Sequence, residues 1–342
     1  MSTLPVGMRD VARKAGVSIT TVSHVINNTR PVAAKTRARV LREIDRLDYY
    51  KNSSARLLVR GRSDLFGLII SDIENPFFPE LIKSFEEACT REGLDALLCA
   101  TNYDRSQAEK SLKRMLENRV QAVAIMTSQF DPKLIAHLAE KNIPLVRLGA
   151  RPLQKNCSTI DVHYQTGVAG AVRHLVELGH KKIAIAAGPQ TQVSAIEYRQ
   201  AVERAINEAG LKPTKVLEGD HGPESGALAA KSLLSAGLRP TAIVCGNDRM
   251  AIGAIGAIVD MGLRVPADVS IVGSDDVWMS RYCHPPLTTV RIPRDDLGRL
   301  AFEVLFEMLN AKKQMGQRRV LETDLIIRRS TGAAPQGVTN RI

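Results

Sequence analysis

The sequence predicts an α/β protein in which a small all-α domain precedes a larger core of two doubly wound parallel lobes. The first sixty residues contain short helical patterns and most of the positive charge. From Leu65 onward, short apolar runs alternate with amphipathic stretches, as expected for buried parallel strands joined by helices. About eight to ten such units are too many for one compact sheet, so two lobes are favoured.

The opening segment predicts two short helices that meet at a glycine. An apolar face over residues 11 to 15 marks the first helix, which Gly16 ends. Ser18 is placed to cap the second helix. The inward positions of this second helix are Val22, Val25 and Ile26.

A third helix is predicted from about Ala34 to Leu47, with an apolar stripe on one side and arginines on the remainder. The first 63 residues hold 13 Lys and Arg against 4 Asp and Glu, so +9 of the total charge of +11 lies there. This asymmetry indicates a polyanionic partner, most often nucleic acid, although a solvated basic arm explains the charge alone equally well.

Two helices joined at a glycine, with small polar residues on the outer face of the second, are typical of a helix-turn-helix. The second helix of that motif enters the major groove, so its exposed residues meet base edges. A plain three-helix bundle is the structural alternative. The predicted base-reading residues are Ile19, Thr20, Thr21 and His24.

The stretches DVARKAGVSITTVSHVIN and KTRARVLREIDRLDYYKNSSARLL resemble the headpiece of the lactose-repressor (LacI/GalR) family of transcription regulators. The resemblance extends along the chain through NPFFPELIKSFEEA, GHKKIAIAAGP, RPTAIVCGNDRMAIGAI and PPLTTVRIP. The reading-helix segment TTVSHVIN is most similar to the purine-repressor branch. The family pattern departs here at Ala33, where a serine cap is usual, and at Lys51, where proline is usual.

The resemblance implies a dimer that binds near-palindromic operator DNA, with a two-lobed core like that of periplasmic sugar-binding proteins. It implies a headpiece over 1–50, a hinge over 51–64, an effector-binding and dimerisation core over 65–331, and a disordered tail over 332–342. The chain is expected to cross between the lobes near 161–165, 288–294 and 320–328.

The hinge is implied to fold as a helix on operator DNA, with Leu58 as a wedge in a central minor-groove step. Ordinary headpiece packing is the alternative for Leu58. Phosphate and hinge contacts supply salt-dependent affinity. The residues predicted to make them are Ser18, Arg37, Arg39, Ala55 and Arg56.

The effector pocket is expected between the lobes, where the carboxyl ends of the strands converge. Aromatic faces there stack on a ring, while amide, carboxylate and guanidinium groups form directional hydrogen bonds. Asp161 and Asp248 have helix capping as an alternative, which is preferred for Asp248. The residues carried over from the resemblance are Phe77, Phe78, Asp161, Ser194, Arg199, His221, Asn247 and Asp275.

The effector is predicted to be a sugar or an acidic sugar derivative. The purine branch has an arginine and an aromatic residue where this chain has Gln192 and His221, which disfavours a purine. Many sugar-responsive members have an aspartate where Gly149 stands, and its loss beside Arg151 and Arg199 favours an acidic sugar. His221 has a backbone-bonded loop histidine as its alternative.

Other classes are less consistent with the sequence. A solute-binding protein that keeps only the two-lobed core would not need the +9 headpiece, and neither end resembles a signal sequence. We find no GxGxxG, Walker, CxxC, GxSxG or HExxH motif, so no enzymatic activity, cofactor or metal is predicted. Five scattered cysteines argue against a disulfide framework and favour the cytoplasm.

Overall fold

The computed structural model describes residues 6–49, 63–127, 132–149, 155–235, 238–311 and 316–335. It divides into two compact units, Met1–Ser63 and Asp64–Ile342. Within the described residues, no helix is both long and apolar enough to cross a membrane.

The N-terminal unit contains three helices around a small apolar core. Gly16 adopts a left-handed φ of 60° between the first two helices, a conformation that suits glycine because it lacks a Cβ. The side chains buried together are Val11, Ala12, Ala15, Val22, Val25 and Val40. The helices are α1 (Met8–Ala15), α2 (Ile19–Asn27) and α3 (Ala34–Arg46).

The first lobe of the core unit is a six-stranded parallel sheet in the order β11-β5-β4-β3-β1-β2. Its central strands β1 and β3 are apolar and buried because helices cover both faces. Its elements are β1 (Leu65–Ile70), α4 (Phe78–Arg91), β2 (Asp95–Ala100), α5 (Arg105–Glu117), β3 (Ala122–Met126), α6 (Pro132–Glu140), β4 (Leu145–Leu148), β5 (Cys157–His163), α11 (Arg294–Asn310) and β11 (Arg318–Glu322).

The second lobe repeats this architecture with the order β12-β10-β9-β8-β6-β7, in which only β12 is antiparallel to its neighbour. Its elements are α7 (Gln165–Glu177), β6 (Ile183–Ala187), α8 (Val193–Glu208), β7 (Val216–Glu218), α9 (Pro223–Ser235), β8 (Ala242–Cys245), α10 (Asp248–Asp260), β9 (Ser270–Asp275), β10 (Thr288–Arg291) and β12 (Asp324–Ile326). The predicted α/β class with two doubly wound lobes is confirmed.

The chain passes between the lobes three times: after β5, between β10 and α11, and between β11 and β12. The same two sheets therefore share three connections, and the edges where their strands end face a common cleft. This arrangement brings loops from both lobes to one site.

The expectation of a disordered tail from residue 332 is wrong for residues 332–335. The amide of Gly332 donates to the Ser270 hydroxyl at 3.1 Å, and the amide of Ala334 donates to the carbonyl of Leu178 at 2.8 Å. The buried ring of His180 lies 3.0 Å from the carbonyl of Gly332 and bonds it through Nε2. These contacts fix the segment to the second lobe, and residues 336–342 lie outside the described range.

Candidate DNA-reading helix and effector pocket

Helix α2 has a well-formed start and end. The Ser18 hydroxyl accepts a hydrogen bond from the amide of Thr21 at 3.0 Å, as predicted for an N-cap. Asn28 ends the helix in the left-handed region at φ 51°, where asparagine is tolerated better than most residues. The helix is short, so these caps and the packing of Val22 and Val25 stabilise it.

The predicted base-reading residues share the outer face of α2 but differ in what they contact. Ile19 is 44% exposed, and Thr20 is exposed as well. The hydroxyl of Thr21 lies 2.9 Å from that of Ser18, so it supports the cap. His24 is half-buried, and its Nδ1 lies 2.8 Å from the hydroxyl of Thr29.

The residues predicted to contact phosphate also differ in their surroundings. Arg39 is exposed on α3, whereas Arg37 donates through Nη1 to the Asn28 side-chain oxygen at 3.1 Å and so joins α3 to the end of α2. The hinge and wedge assignments of Leu58, Ala55 and Arg56 lie outside the described residues.

In the core unit, a cavity of about 90 Å³ lies between the two lobes and opens to solvent. Six of the eight predicted effector contacts line this cavity: Phe77, Phe78, Ser194, His221, Asn247 and Asp275.

Asp161 is one of the two exceptions. It is buried in β5, and it forms an ion pair with Arg318 of the neighbouring β11. It lines a separate groove beside the lobe crossover, together with His163 and Glu322. Asp161 is not among the residues that line the effector cavity, because it pairs with a residue of a strand 157 positions later in the chain, and its effector role stays a prediction.

Arg199 is the second exception. It lies 3.8 Å from Glu203, one turn further along α8, and it is not among the lining residues. An α-helix turns about 100° per residue, so residue 199 is rotated about 140° from Ser194. Tyr198 is rotated only about 40° from Ser194, and its ring occupies the cavity wall instead.

The cavity has further lining residues that were not among the predicted effector contacts. Tyr103 and Thr127 follow β2 and β3, at the same sheet edge as Phe77. Gln192 occupies the N-cap position of α8 without a side-chain capping hydrogen bond. Tyr164 and Tyr198 pack edge to face with ring centroids 5.5 Å apart. Applying the strand-end rule to every strand, including TNYD after β2, would have found Tyr103.

His221 forms part of the wall through an unusual backbone conformation. Its φ is 70°, and its imidazole occupies the space where a side chain on Gly188 would lie. The Asn247 amide donates to the His221 carbonyl at 3.1 Å while its oxygen accepts from the Met250 amide at 2.9 Å. Burial lowers the pKa of His221 to about 4, so the ring is neutral at physiological pH.

Asp275 ends β9 on the cavity wall with a φ of 112°, and Asp276 follows at 55°. Two consecutive non-glycine residues in this region are strained and need outside support. Arg294 supplies it by donating to the carbonyls of Asp275 and Asp276 while pairing with Glu80 of the first lobe. Burial raises the pKa of the Asp275 carboxyl well above its usual range.

The core unit has two further features outside the cavity lining, an ion pair between the lobes and a pair of exposed aromatic rings. Arg249 of α10 lies 3.7 Å from Asp72, which follows β1, so this ion pair joins the two lobes. Trp278 is 64% exposed and contacts Tyr282, which is 77% exposed.

Comparison with known proteins places this geometry in a family. Residues 7–52 match the model of bacterial regulatory proteins of the lacI family, and residues 172–331 match a periplasmic binding protein-like domain. The chain is 39% identical over 328 residues to the HTH-type transcriptional repressor PurR of Pasteurella multocida (strain Pm70), covering 94% of this chain and 98% of that protein. It is 40% identical over 329 residues to PurR of Haemophilus influenzae (strain PittEE), with the same coverage.

Solved structures agree with this assignment. The lac repressor dimer bound to operator and the anti-inducer ONPF superposes with a TM-score of 0.86 at 32% identity, over 96% of this chain and all of that one. A complex of the transcriptional regulator CelR with cellobiose superposes with a TM-score of 0.71 at 29% identity, over 95% of this chain and 99% of that one. These relatives are regulators, which confirms the predicted non-enzymatic class. The chain belongs to the LacI family of bacterial DNA-binding transcriptional repressors, on the purine-repressor branch, and combines a helix-turn-helix unit with an effector-binding core.

Proposed function

We propose that this repressor binds a near-palindromic operator as a homodimer, with the outer face of α2 in the major groove. The observation that carries this proposal is the capped α2 helix, which presents Ile19, Thr20 and His24 outward from a strongly basic unit. Short side chains leave room for close approach to base edges, and the surrounding cations supply salt-dependent affinity. The hinge role of residues 51–64 and the wedge role of Leu58 remain part of this proposal.

The operator can be tested by selecting genomic DNA fragments with the purified full chain at moderate salt, with and without a metabolite extract. We expect enrichment of one palindromic sequence, since two identical headpieces read two half-sites. A sample with His24→Ala serves as a comparison, and should lose preference at one position of each half-site. Absence of any enriched sequence under both conditions would contradict the proposal.

The effector is proposed to be a neutral sugar that binds in the interlobe cavity. Hydroxyl and amide groups from both lobes line that cavity, and they can donate hydrogen bonds to the hydroxyl groups of a sugar and accept hydrogen bonds from them. Phe77 and Phe78 form an edge-to-face pair 5.2 Å apart that offers an apolar surface to a sugar ring. The CelR neighbour, solved with cellobiose, supports this class.

The acidic-sugar form of the prediction loses much of its support. It relied on Arg151 and Arg199 as pocket cations, but Arg199 pairs with Glu203 and Arg151 lies outside the described residues. None of the described lining residues is lysine or arginine, whereas Asp275 contributes a carboxyl group. The described lining therefore offers no cation of its own to an anionic effector.

Calorimetry with the full chain tests the effector class, using neutral mono- and disaccharides, aldonates, uronates and purine bases. We expect a neutral sugar to bind, and Phe77→Ala to raise its Kd about tenfold by removing an aromatic face. Ile73→Ala is the matched control, because Ile73 lies in the same loop but is 57% exposed and does not line the cavity. Binding of purine bases or acidic sugars alone would exclude the neutral class.

A further inference from the structure

The loop after α2 makes one side-chain contact back to the reading helix. The Thr29 hydroxyl lies 2.8 Å from Nδ1 of His24, five residues earlier. This is a normal hydrogen-bond distance, and the hydroxyl can either donate to or accept from an imidazole nitrogen. His24 is half-buried while Thr29 is exposed, so the bond lies at the outer surface of the headpiece.

The backbone places Thr29 beside His24 for a local reason. Asn28 adopts the left-handed conformation that ends α2, which turns the chain back toward the last helical turn. The Asn28 side-chain oxygen then accepts the 3.1 Å hydrogen bond from Arg37 of α3. The loop is thus held to both helices, and Thr29 is presented from a fixed backbone.

The contact determines which ring nitrogen is available for recognition. The two nitrogens of an imidazole lie on opposite sides of the ring, and Nδ1 is engaged by Thr29. Nε2 is therefore the nitrogen that can meet a base edge. We propose that Thr29 is a positioning residue that fixes the ring of His24 for base readout and thereby sets the base preference at one operator position. This inference rests on the proposed role of α2 in the operator complex.

A positioning role differs measurably from direct contact with DNA. If Thr29 bonded a phosphate, its loss would weaken binding to every sequence equally, since phosphate contacts carry no sequence information. If Thr29 orients His24, its loss weakens discrimination only at the base that His24 reads. Immobilising a side chain that is otherwise mobile costs free energy, so discrimination there should fall about threefold to tenfold.

Four variants of the full chain separate these possibilities. Thr29→Val keeps the shape but lacks the hydroxyl, Thr29→Ser restores the hydroxyl, His24→Ala removes the imidazole, and the fourth combines Thr29→Val with His24→Ala. Each is measured against the selected operator, against every single-base change in one half-site, and against non-specific DNA. Nitrogen-15 chemical shifts of the His24 ring in the DNA-free protein report directly on the Nδ1 hydrogen bond and the tautomer.

We expect Thr29→Val to lose preference at the same position as His24→Ala, to keep non-specific affinity, and to change the ring-nitrogen shifts. Thr29→Ser should behave as the wild type, and Thr29→Val should have no further effect in a His24→Ala background. If His24→Ala alters one position while Thr29→Val alters none, or lowers all affinities equally, the inference is wrong and the reading role of α2 stands. If His24→Ala alters no position while the protein still selects an operator, His24 does not read a base, and the inference about Thr29 is wrong with it.

Discussion

Replacing Gly253 by alanine is expected to destabilise the core unit by about 3 kcal/mol. A Cβ at this position of α10 would lie 1.9 Å from the carbonyl oxygen of Pro223, at the start of α9. On the opposing helix, a Cβ at Gly226 would lie 2.0 Å from the carbonyl oxygen of Met250. Backbone atoms cannot rotate aside, so the two helices must separate to admit even one methyl group.

Separation of these helices would also disturb the effector cavity. Asn247 is the N-cap of α10 and lines the cavity, and Arg249 in the first turn pairs with Asp72 of the other lobe. We therefore expect Gly253→Ala to weaken effector binding as well as stability. For a unit of this size, the melting temperature should fall by roughly 5–10 °C.

Gly256→Ala is the matched control, one turn along the same helix. No heavy atom lies within 4 Å of a Cβ built there. Alanine removes the entropic cost of a glycine in a helix, so this variant should stabilise the protein by about 0.5–1 kcal/mol. Thermal and urea unfolding measure the stability of both variants. Equal stability of the two would show that the close approach of α9 and α10 does not exclude a methyl group at position 253.

Loss of the Asp248 carboxyl is the second large effect that we expect. The side chain is fully buried, and its oxygens accept hydrogen bonds from the Ser280 and Thr289 hydroxyls at 2.5 Å and from the Val277 amide at 2.9 Å. It does not cap α10, as the sequence suggested, since Asn247 does so. It instead joins α10 to the loop after β9 and to β10.

Asp248→Ala leaves these three donors without their buried acceptor, which should cost about 3 kcal/mol or more in the free energy of unfolding. Asp260→Ala, at the exposed end of the same helix, should stay within about 0.5 kcal/mol of the wild type. Urea unfolding at pH 7 measures both, and a loss below about 1 kcal/mol for Asp248→Ala would contradict the structural role.

The pH dependence of stability gives an independent test of the same residue. Burial raises the pKa of Asp248 from 3.8 to about 6, although the hydrogen bonds from Ser280 and Thr289 lower it in part. Between these two values the folded protein binds the proton more tightly than the unfolded chain. This group therefore stabilises the fold most at acidic pH, and that contribution is lost as the pH rises from about 4 to about 6.

Asp248→Asn cannot ionise, so its unfolding free energy should lack this decline. The informative quantity is the difference between wild type and Asp248→Asn across pH 4 to 7, because groups that do not interact with Asp248 contribute to both proteins alike. Asp275 is the neighbour that contributes differently, since the charge of Asp248 raises its pKa. We expect the wild type to lose stability relative to the variant as pH rises. A constant difference would show that Asp248 is not protonated preferentially in the folded state.

Much of the fold and part of the site followed from local sequence. The Ser18 cap, the Gly16 turn and the apolar strand runs depend on residues close in the chain, so their local physics was sufficient to predict them. Phe77 and Asn247 were carried over from the family resemblance, and their positions after strands are consistent with parallel strand ends meeting at one edge. The +9 charge of the headpiece likewise indicates nucleic acid from the positions of the charged residues in the chain.

Other features depended on residues that come together only in the folded chain. Asp161 does not line the cavity because Arg318 pairs with it across β5 and β11. Arg199 does not line it because the start of α8 decides which face of the helix meets the cavity. The acceptor role of Asp248 and the close approach at Gly253 require distant segments to be in contact. The sequence by itself determined the element types, the two-part organisation and the family. Only tertiary structure decided which side chains share the cavity, because helix rotation and strand pairing bring together residues far apart in the chain.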